Sequence, residues 1–452
     1  MQLPSLLIHA LQSLESFKQE TFIQVHESGE QVTSVRMNPL RSFSVDQFPV
    51  AATKVPWSAQ GYYLSSRPSF TLDPLFHAGA YYVQEASSMF LEEAVRQTVD
   101  LTQSIAALDL CAAPGGKSTL LQSIISADSL LVSNEVIQSR VNILKENLIK
   151  WGSSNVVVTN NDPKDFGKLE GLFDLLVVDA PCSGSGLFRR DPEAINEWSE
   201  ANVQLCAQRQ QRILADAWSC LKEEGVLIYS TCSYSEEEDE EILNWLMQHF
   251  EVEGLQLQTD PQWNIDEVQR SGAYGYRFWP DKVKGEGFFI AAFRKKEATV
   301  NKKMKVKKGF PVSKTEATAA DKWLTNHHGK AFVFQGQYIA AIPAHWSEFI
   351  QLLMEQLKVR YAGVELGTVA RGELIPEHSL AVSNLLSDSV FAVELTAEQA
   401  IQYLRKDDLI LDTDKRDWAV VMHQGLKLGW VKLLGNRINN YYPKEYRILM
   451  SR

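Results

Sequence analysis

Several absences bound what this chain can be. In its 452 residues no apolar run approaches the roughly 20 residues that cross a bilayer, so no membrane partner is expected. The start, Met1-Gln-Leu-Pro-Ser-Leu-Leu-Ile-His9, lacks the basic opening of a secretory signal, and a cytoplasmic protein is expected. Cysteine is scarce: there are five, none in CxxC spacing. That count excludes a disulfide framework or a cysteine zinc site, and it suits a reducing compartment where thiols stay thiols. No internal repeat or low-complexity tract is present. Positive charge is also short, with a formal net charge of −11. Acidity of that size argues against nucleic acid only on average, because binding follows local patches. From Lys427 to Arg452 the charged residues are Lys427, Lys432, Arg437, Lys444, Arg447 and Arg452 against Glu445 alone, while acid concentrates at Glu236 to Glu241.

What is present is a soluble globular composition, 45% hydrophobic and 22% charged, long enough for about three domains. Residues 4–18 read as an amphipathic helix, followed by strand-like Thr21–Val25 and Thr33–Met37. From about residue 105 strands and helices alternate. Strands are predicted at Ile105–Leu110, Leu130–Asn134, Asn155–Thr159, Phe173–Asp179 and Gly225–Ser230, with helices at 116–126, 136–150 and 196–221. This alternation predicts a parallel sheet covered on both faces, with ligands at the carboxyl ends of its strands. Lysine-rich Arg294 to Lys308 reads either as a solvated linker or as one that also touches RNA phosphates, residues 316–385 carry no clear pattern, and short β-like runs follow about residue 388, such as Trp418–Met422 and Leu428–Lys432.

Three motifs fall at the predicted strand ends. Cys111-Ala-Ala-Pro-Gly-Gly-Lys117 fails as a P-loop, since position 111 is not glycine, and it lacks the GxGxxG spacing. It remains a tight turn of small residues opening a helix, where a ligand can approach backbone N–H groups. After the second strand stands Glu135, where such folds hold ribose hydroxyls, and after the third stands Asp162, placed for an adenine edge. Asp179-Ala-Pro-Cys182 and Ser230-Thr-Cys232-Ser233 put two cysteines at the ends of the fourth and fifth strands. Methylation of cytosine C5 asks for such a pair. A thiolate adding at C6 makes C5 nucleophilic, and a second group then helps remove the C5 proton. Asp179 is placed for the cytosine N3 and N4 edge. Cys206 and Cys220 sit among apolar helical residues and read as core. Ser235 and Glu238 have capping-box spacing, and the helix after Cys232 offers its positive end to that thiol. Arg189-Arg190 reads either as a phosphate fastener or as a solvent-facing pair.

With these residues the chain resembles the RsmF-type members of the NSUN/Fmu RNA cytosine-5 methyltransferases, over nearly its whole length. Ser34-Val-Arg-Met-Asn-Pro-Leu-Arg41 and His77 to Ser88 are similar to family signatures flanking the active site. Leu428–Lys432 and Gly435–Lys444 look like the PUA-type RNA-binding domain of that group.

The resemblance implies an α/β protein with a Rossmann-like class I methyltransferase core and S-adenosyl-L-methionine as cofactor. Cys111, Ala112, Ala113, Pro114, Gly115, Gly116 and Lys117 form the cofactor loop, with Glu135, Asp162 and Asp179 as further cofactor residues. Cys232 is then the nucleophile and Cys182 the release cysteine; the reverse assignment, as in DNA cytosine methyltransferases, stays open. The implied substrate is 16S rRNA of the small ribosomal subunit near the decoding site, with Arg190, Lys432, Arg437 and Lys444 contacting RNA. The organisation expected is a ferredoxin/RRM-like α+β RNA-binding module at 1–100, the catalytic domain at 101–296, a basic linker at 297–315, an intermediate module at 316–387 and a β-rich PUA-like domain at 388–452. A monomer is the default. A DNA cytosine-5 methyltransferase and a non-catalytic ribosome-assembly factor remain the alternatives.

Overall fold

Five short runs with almost no polar alternation build the centre of the molecule, because strands covered on both faces have no solvent side to mark. A computed structural model describes residues 2–299, 306, 312–325, 329–435 and 437–450 of the chain. The runs are β1 (Ala106–Asp109), β2 (Leu130–Asn134), β3 (Val156–Thr159), β4 (Phe173–Asp179) and β5 (Leu221–Thr231). They pair in parallel as β3-β2-β1-β4-β5. β1 thus lies between β2 and β4, and the chain reverses its direction of travel across the sheet there. That reversal leaves a crevice at the carboxyl ends of β1 and β4.

The sheet grows antiparallel at both edges. β6 (Val252–Leu255), β7 (Asp266–Arg270), β8 (Ala273–Phe278) and β9 (Phe288–Lys295) extend it beyond β5, giving the path β7-β8-β9-β5 with β6 also on β9. At the other edge β10 (Val359–Ala362) pairs with β3 and completes ten strands. β10 comes from the segment whose pattern was unreadable in sequence, so the 316–387 region contributes a strand to the central sheet. Its remaining strands, Lys330–Gln335, Tyr338–Pro343, Val364–Ala370 and Glu373–Pro376, form a separate antiparallel sheet.

The N-terminal region holds an antiparallel sheet of Thr33–Met37, Ala52–Lys54, Gly61–Leu64 and Tyr81–Val83, with Thr33–Met37 in the interior between Gly61–Leu64 and Tyr81–Val83. Two expectations fail ahead of it. The helix expected over 4–18 covers only Ser5–Leu11, and Thr21–Val25 is not a strand but part of the helix Gln19–Glu27. Local β propensity loses there to packing: Phe22 and His26, one helical turn apart, are buried, and Phe22 meets Tyr234 and Trp279. The helix expected over 196–221 is broken before Ser199, whose hydroxyl caps Glu200–Ala217 by accepting Asn202 N–H at 3.1 Å.

The C-terminal sheet joins Ala392–Glu394, Arg416–His423, Leu426–Leu434 and Ile438–Asn440. One hydrophobic cluster runs from Val35, Leu75 and Tyr81 of the N-terminal region to Tyr403, Leu428 and Val431 here, so the two ends of the chain share a core. Most of the lysine-rich linker, including Asn301 to Lys305 and Lys307 to Lys308, lies outside the described residues, as does Arg452. Among the described residues no helix is long and apolar enough to cross a membrane.

Candidate functional site

The cofactor-type loop is held open from behind. Gly115 ends it with φ +114°, a conformation that L side chains rarely adopt, and a Cβ there would press on Leu144 and Asn147. Arg140 Nη2 donates to the Ala113 carbonyl at 2.6 Å and Asn147 Nδ2 to the Pro114 carbonyl at 2.8 Å. No side chain caps the helix Gly116–Ile124 that follows. Beneath the loop Asp109 is fully buried; its Oδ2 accepts from Ser118 Oγ at 2.6 Å while Oδ1 has no partner. Burial pushes this carboxyl up to about 7.

Two confluent cavities open over the carboxyl ends of the parallel strands. The larger, about 560 Å³, is lined by Cys111, Ala113, Asn134, Glu135, Val136, Ile137, Pro163, Asp179, Cys182 and Cys232 among others. The second, about 350 Å³, shares Cys111, Ala113, Asp179 and Cys232 and adds Ala112, Pro114, Gly116, Lys117, Arg190 and Phe288. Its far wall is Tyr82, Gln84 and Glu85 from the N-terminal region. That wall is fastened by buried Arg36, which donates to Gln84 Oε1 at 2.7 Å and to Thr119 Oγ1 at 2.6 Å on the loop's helix.

The two cysteine loops meet. Cys182 Sγ and Cys232 Sγ lie 3.0 Å apart, both as free thiols. Parallel pairing of β4 with β5 sets Asp179 opposite Ser230, which brings the residues beyond them together. Buried Glu238 locks this arrangement. Its carboxylate accepts Ser183 N–H at 2.8 Å, Ser183 Oγ at 2.5 Å, Ser233 Oγ at 2.6 Å and Gln210 Nε2 at 3.1 Å. The capping box expected from Ser235 and Glu238 is therefore absent: Glu238 turns inward, and Ser235 makes no side-chain cap. Nor does a regular helix start directly after Cys232, because a 3-10 turn at Glu236–Glu238 precedes Glu240–His249. The Cys182 thiol is pushed well up, first by its hydrogen bond to the Cys232 sulfur and then by burial.

Asp179 is held on both oxygens, by Ser230 Oγ at 2.8 Å and by Lys117 Nζ at 2.7 Å. Glu135 takes Ile137 N–H at 2.8 Å and faces Arg140 at 3.4 Å. Asp162 stands on neither cavity wall; it caps the short helix Pro163–Phe166, and Pro163 lines the cavity instead. The Arg189-Arg190 pair divides. Arg189 is buried, bonded to the Gly285 and Glu30 carbonyls, so it is neither solvent-facing nor free for a phosphate, whereas Arg190 is exposed at the second cavity. Lys432 sits 5.0 Å from the Trp418 ring centre, and Arg437 and Lys444 are exposed, all on the C-terminal domain away from both cavities. Cys206 and Cys220 are buried.

Sequence reasoning passed over Val136 and Ile137, although two apolar residues directly after a strand-end acid were a readable signal. They are 55% and 48% exposed and line the larger cavity, an apolar seat for a flat ring. Beside them stand one buried carboxylate for hydroxyls, an uncapped helix start for an anionic group and a second acid, Asp179. This donor set fits a nucleoside joined to an amino acid, as S-adenosylmethionine is. Glu238 was misassigned because its long-range partners leave no local trace.

Fold and site together define a class I methyltransferase. Its segments match three family descriptions: "16S rRNA methyltransferase RsmB/F" over residues 97–294, "N-terminal domain of 16S rRNA methyltransferase RsmF" over 3–86 and "Methyltransferase RsmF PUA domain" over 390–448. The chain belongs to this RsmF family. It is 32% identical over 445 residues to ribosomal RNA small subunit methyltransferase F of Psychromonas ingrahamii, covering 91% of this chain and 90% of that protein. The protein of the same name in Aliivibrio fischeri is 30% identical over 433 residues, again with 91% and 90% covered. Among solved structures, a methyltransferase homolog protein from Pyrococcus horikoshii aligns with a TM-score of 0.55 at 28% identity, over 65% of this chain and 95% of that one. NSun6 from Pyrococcus horikoshii, solved with SFG, aligns at 0.54 and 17% identity over 65% and 98%, which speaks to the fold alone.

Proposed function

We propose that this protein methylates C5 of a cytosine in 16S rRNA, near the decoding site of the small ribosomal subunit, through a covalent Cys232–C6 adduct. The observation that carries the reading is the pair of free thiols 3.0 Å apart on the wall of the larger cavity, with Cys232 lining the second cavity as well. S-adenosylmethionine supplies the methyl group when bound, seated by the Cys111–Lys117 loop, Glu135 and the Val136–Ile137 surface. Asp162 remains a candidate for the adenine edge only through a shift from its capping position.

The residues of the chain supply the rest. The Cys182 thiol, raised by its contact with the Cys232 sulfur and by burial, is poorly disposed to attack, which favours Cys232 as the attacking sulfur. The Cys232 thiolate adds to C6, the ring electrons pass to C5, and C5 takes the methyl group. Once Cys182 has released its own proton to water, its sulfur takes the C5 proton, which restores the C5–C6 double bond and expels the Cys232 thiolate. Asp179, paired with Lys117 at 2.7 Å, is assigned to the N3 and N4 edge of the base. The base must leave its stack to arrive, at a cost of about a few kcal/mol. RNA contacts are assigned to the N-terminal region (1–100), Arg190 and the C-terminal domain (388–452) with Lys432, Arg437 and Lys444. The protein is taken to act as a monomer in the cytoplasm. Relatives named for the ribosomal small subunit favour RNA over a DNA substrate, and the paired thiols favour an enzyme over an assembly factor.

The test is transfer of labelled methyl to 30S subunits and 16S rRNA by wild type, Cys232→Ala and Cys182→Ala, with denaturing gels of each reaction. Loss of transfer in both variants, with an adduct trapped only in Cys182→Ala, is expected. An adduct only in Cys232→Ala reverses the roles, and no transfer by wild type sinks the reading.

A further inference from the structure

Two arginines face the larger cavity without any role in the site as described. Arg209 and Arg212 lie three residues apart on the helix Glu200–Ala217, close neighbours on its surface. Both line the cavity beside Pro181, Cys182 and Gly184; Arg209 is exposed and Arg212 is too. Among the described residues neither makes an ion pair or a side-chain hydrogen bond, whereas Arg140, Arg189 and Arg277 each face a carboxylate. Their position relative to the cysteines is fixed. Gln210, between them, donates to the Pro181 carbonyl at 3.2 Å and to Glu238 at 3.1 Å, tying this helix to the Cys182 loop.

We propose that Arg209 and Arg212 form one bank of a phosphate clamp that grips the RNA backbone next to the unstacked nucleotide, with Arg190 on the opposite bank. The inference rests on the RNA substrate reading and assigns a site within it. Two uncompensated guanidiniums on one cavity wall call for an anion. The cofactor answers poorly, because its sulfonium and ammonium outnumber its one carboxylate. A nucleotide swung out of its stack brings a phosphate on each side to the rim of the pocket it enters, and guanidinium forks match phosphate oxygens in pairs. Arg190, exposed and lining the second cavity, likewise makes no ion pair among the described residues, and Cys232 lines both cavities.

The experiment compares full-length wild type, Arg209→Gln/Arg212→Gln and Arg209→Lys/Arg212→Lys. Binding of a fluorescent 16S rRNA fragment is titrated at several salt concentrations, and S-adenosylhomocysteine binding is measured by calorimetry. The expected result is a glutamine variant whose log K against log salt slope is shallower by about 1.4, at roughly 0.7 for each single-strand phosphate that is no longer neutralised. Its cofactor affinity stays within about twofold of wild type, and the lysine variant keeps most of the slope because the charges remain. An unchanged slope with weakened cofactor binding would assign the pair to the cofactor and overturn the clamp. Unchanged slope and unchanged cofactor binding would leave two solvent-facing arginines and also overturn it. Wild-type RNA affinity indifferent to salt would instead sink the RNA reading itself.

Discussion

Glu238 and Ser183 are joined twice, by the Ser183 N–H at 2.8 Å and its hydroxyl at 2.5 Å, and the same carboxylate takes Ser233 on the neighbouring loop. Each serine directly follows one of the paired cysteines, so Glu238 fixes the separation of the two sulfurs. Desolvation raises the Glu238 pKa while four donors oppose the rise. Glu238→Ala would strand those donors in the interior, at about 1–3 kcal/mol for each left unpaired. Urea unfolding should show a loss of roughly 3 kcal/mol, and methyl transfer should fall at least tenfold.

Glu238 also stands as a negative charge behind Cys182, one of the causes that raise that thiol. Glu238→Gln keeps the shape and removes the charge. The pH midpoint for alkylation of Cys182 by iodoacetamide should therefore move down, by about one unit. A midpoint that stays put would show that Glu238 acts through shape alone.

The 2.7 Å contact between Lys117 and Asp179 crosses the crevice between β1 and β4. If the two hold the target base as a unit, their losses will not add. Asp179→Asn and Lys117→Met should each lower kcat for RNA methylation by about a hundredfold, and the double variant should fall little further. A double variant equal to the product of the two single effects would show independent roles.

Asp109 gives the fold a pH dependence of known sign. Its folded-state value of about 7 lies above the ordinary 3.8, mainly through burial. Between those limits the folded protein holds a proton that the unfolded chain has released. This carboxyl therefore costs progressively more stability as pH rises toward 7, on the order of 1.4 kcal/mol per unit, and adds no further loss above it. Asp109→Asn should flatten that decline between pH 5 and 7 in urea midpoints. A parallel decline in wild type and variant would place the dependence elsewhere.

The legible part of this molecule was the part governed by local pattern. Leu130–Asn134 and Phe173–Asp179 appear as strands at the bounds their apolar runs predicted, because strands covered on both faces are apolar through most of their length. The loops with Cys111, Cys182 and Cys232 could be placed because each follows such a run. Thr21–Val25 misled because β-branched and aromatic residues suit a helix equally well when Phe22 and His26 have a core to enter. Glu238 misled for the opposite reason, since a local cap signal was overridden by Ser183 and Gln210, 55 and 28 residues away. β10 was unreadable because its partner, β3, lies some two hundred residues earlier, and no local periodicity records an edge strand supplied from so far along the chain.

The shared core of the two chain ends predicts that the C-terminal domain cannot be removed cleanly. The helix Pro74–His77 touches both the helix Ala397–Arg405 and the strand Leu426–Leu434. Leu75 and Tyr81 on one side, with Tyr403 and Leu428 on the other, are all at most 6% exposed. Deleting residues 390–452 would open that apolar surface to water, at about 25 cal/mol per Å² uncovered. Amide exchange in Thr33–Met37 should then speed up by at least tenfold, while β1 and β4, whose cover comes from other elements, keep their protection. Unchanged exchange in Thr33–Met37 would show that the N-terminal sheet is stable without its C-terminal partner, and that the two ends of the chain are mechanically independent.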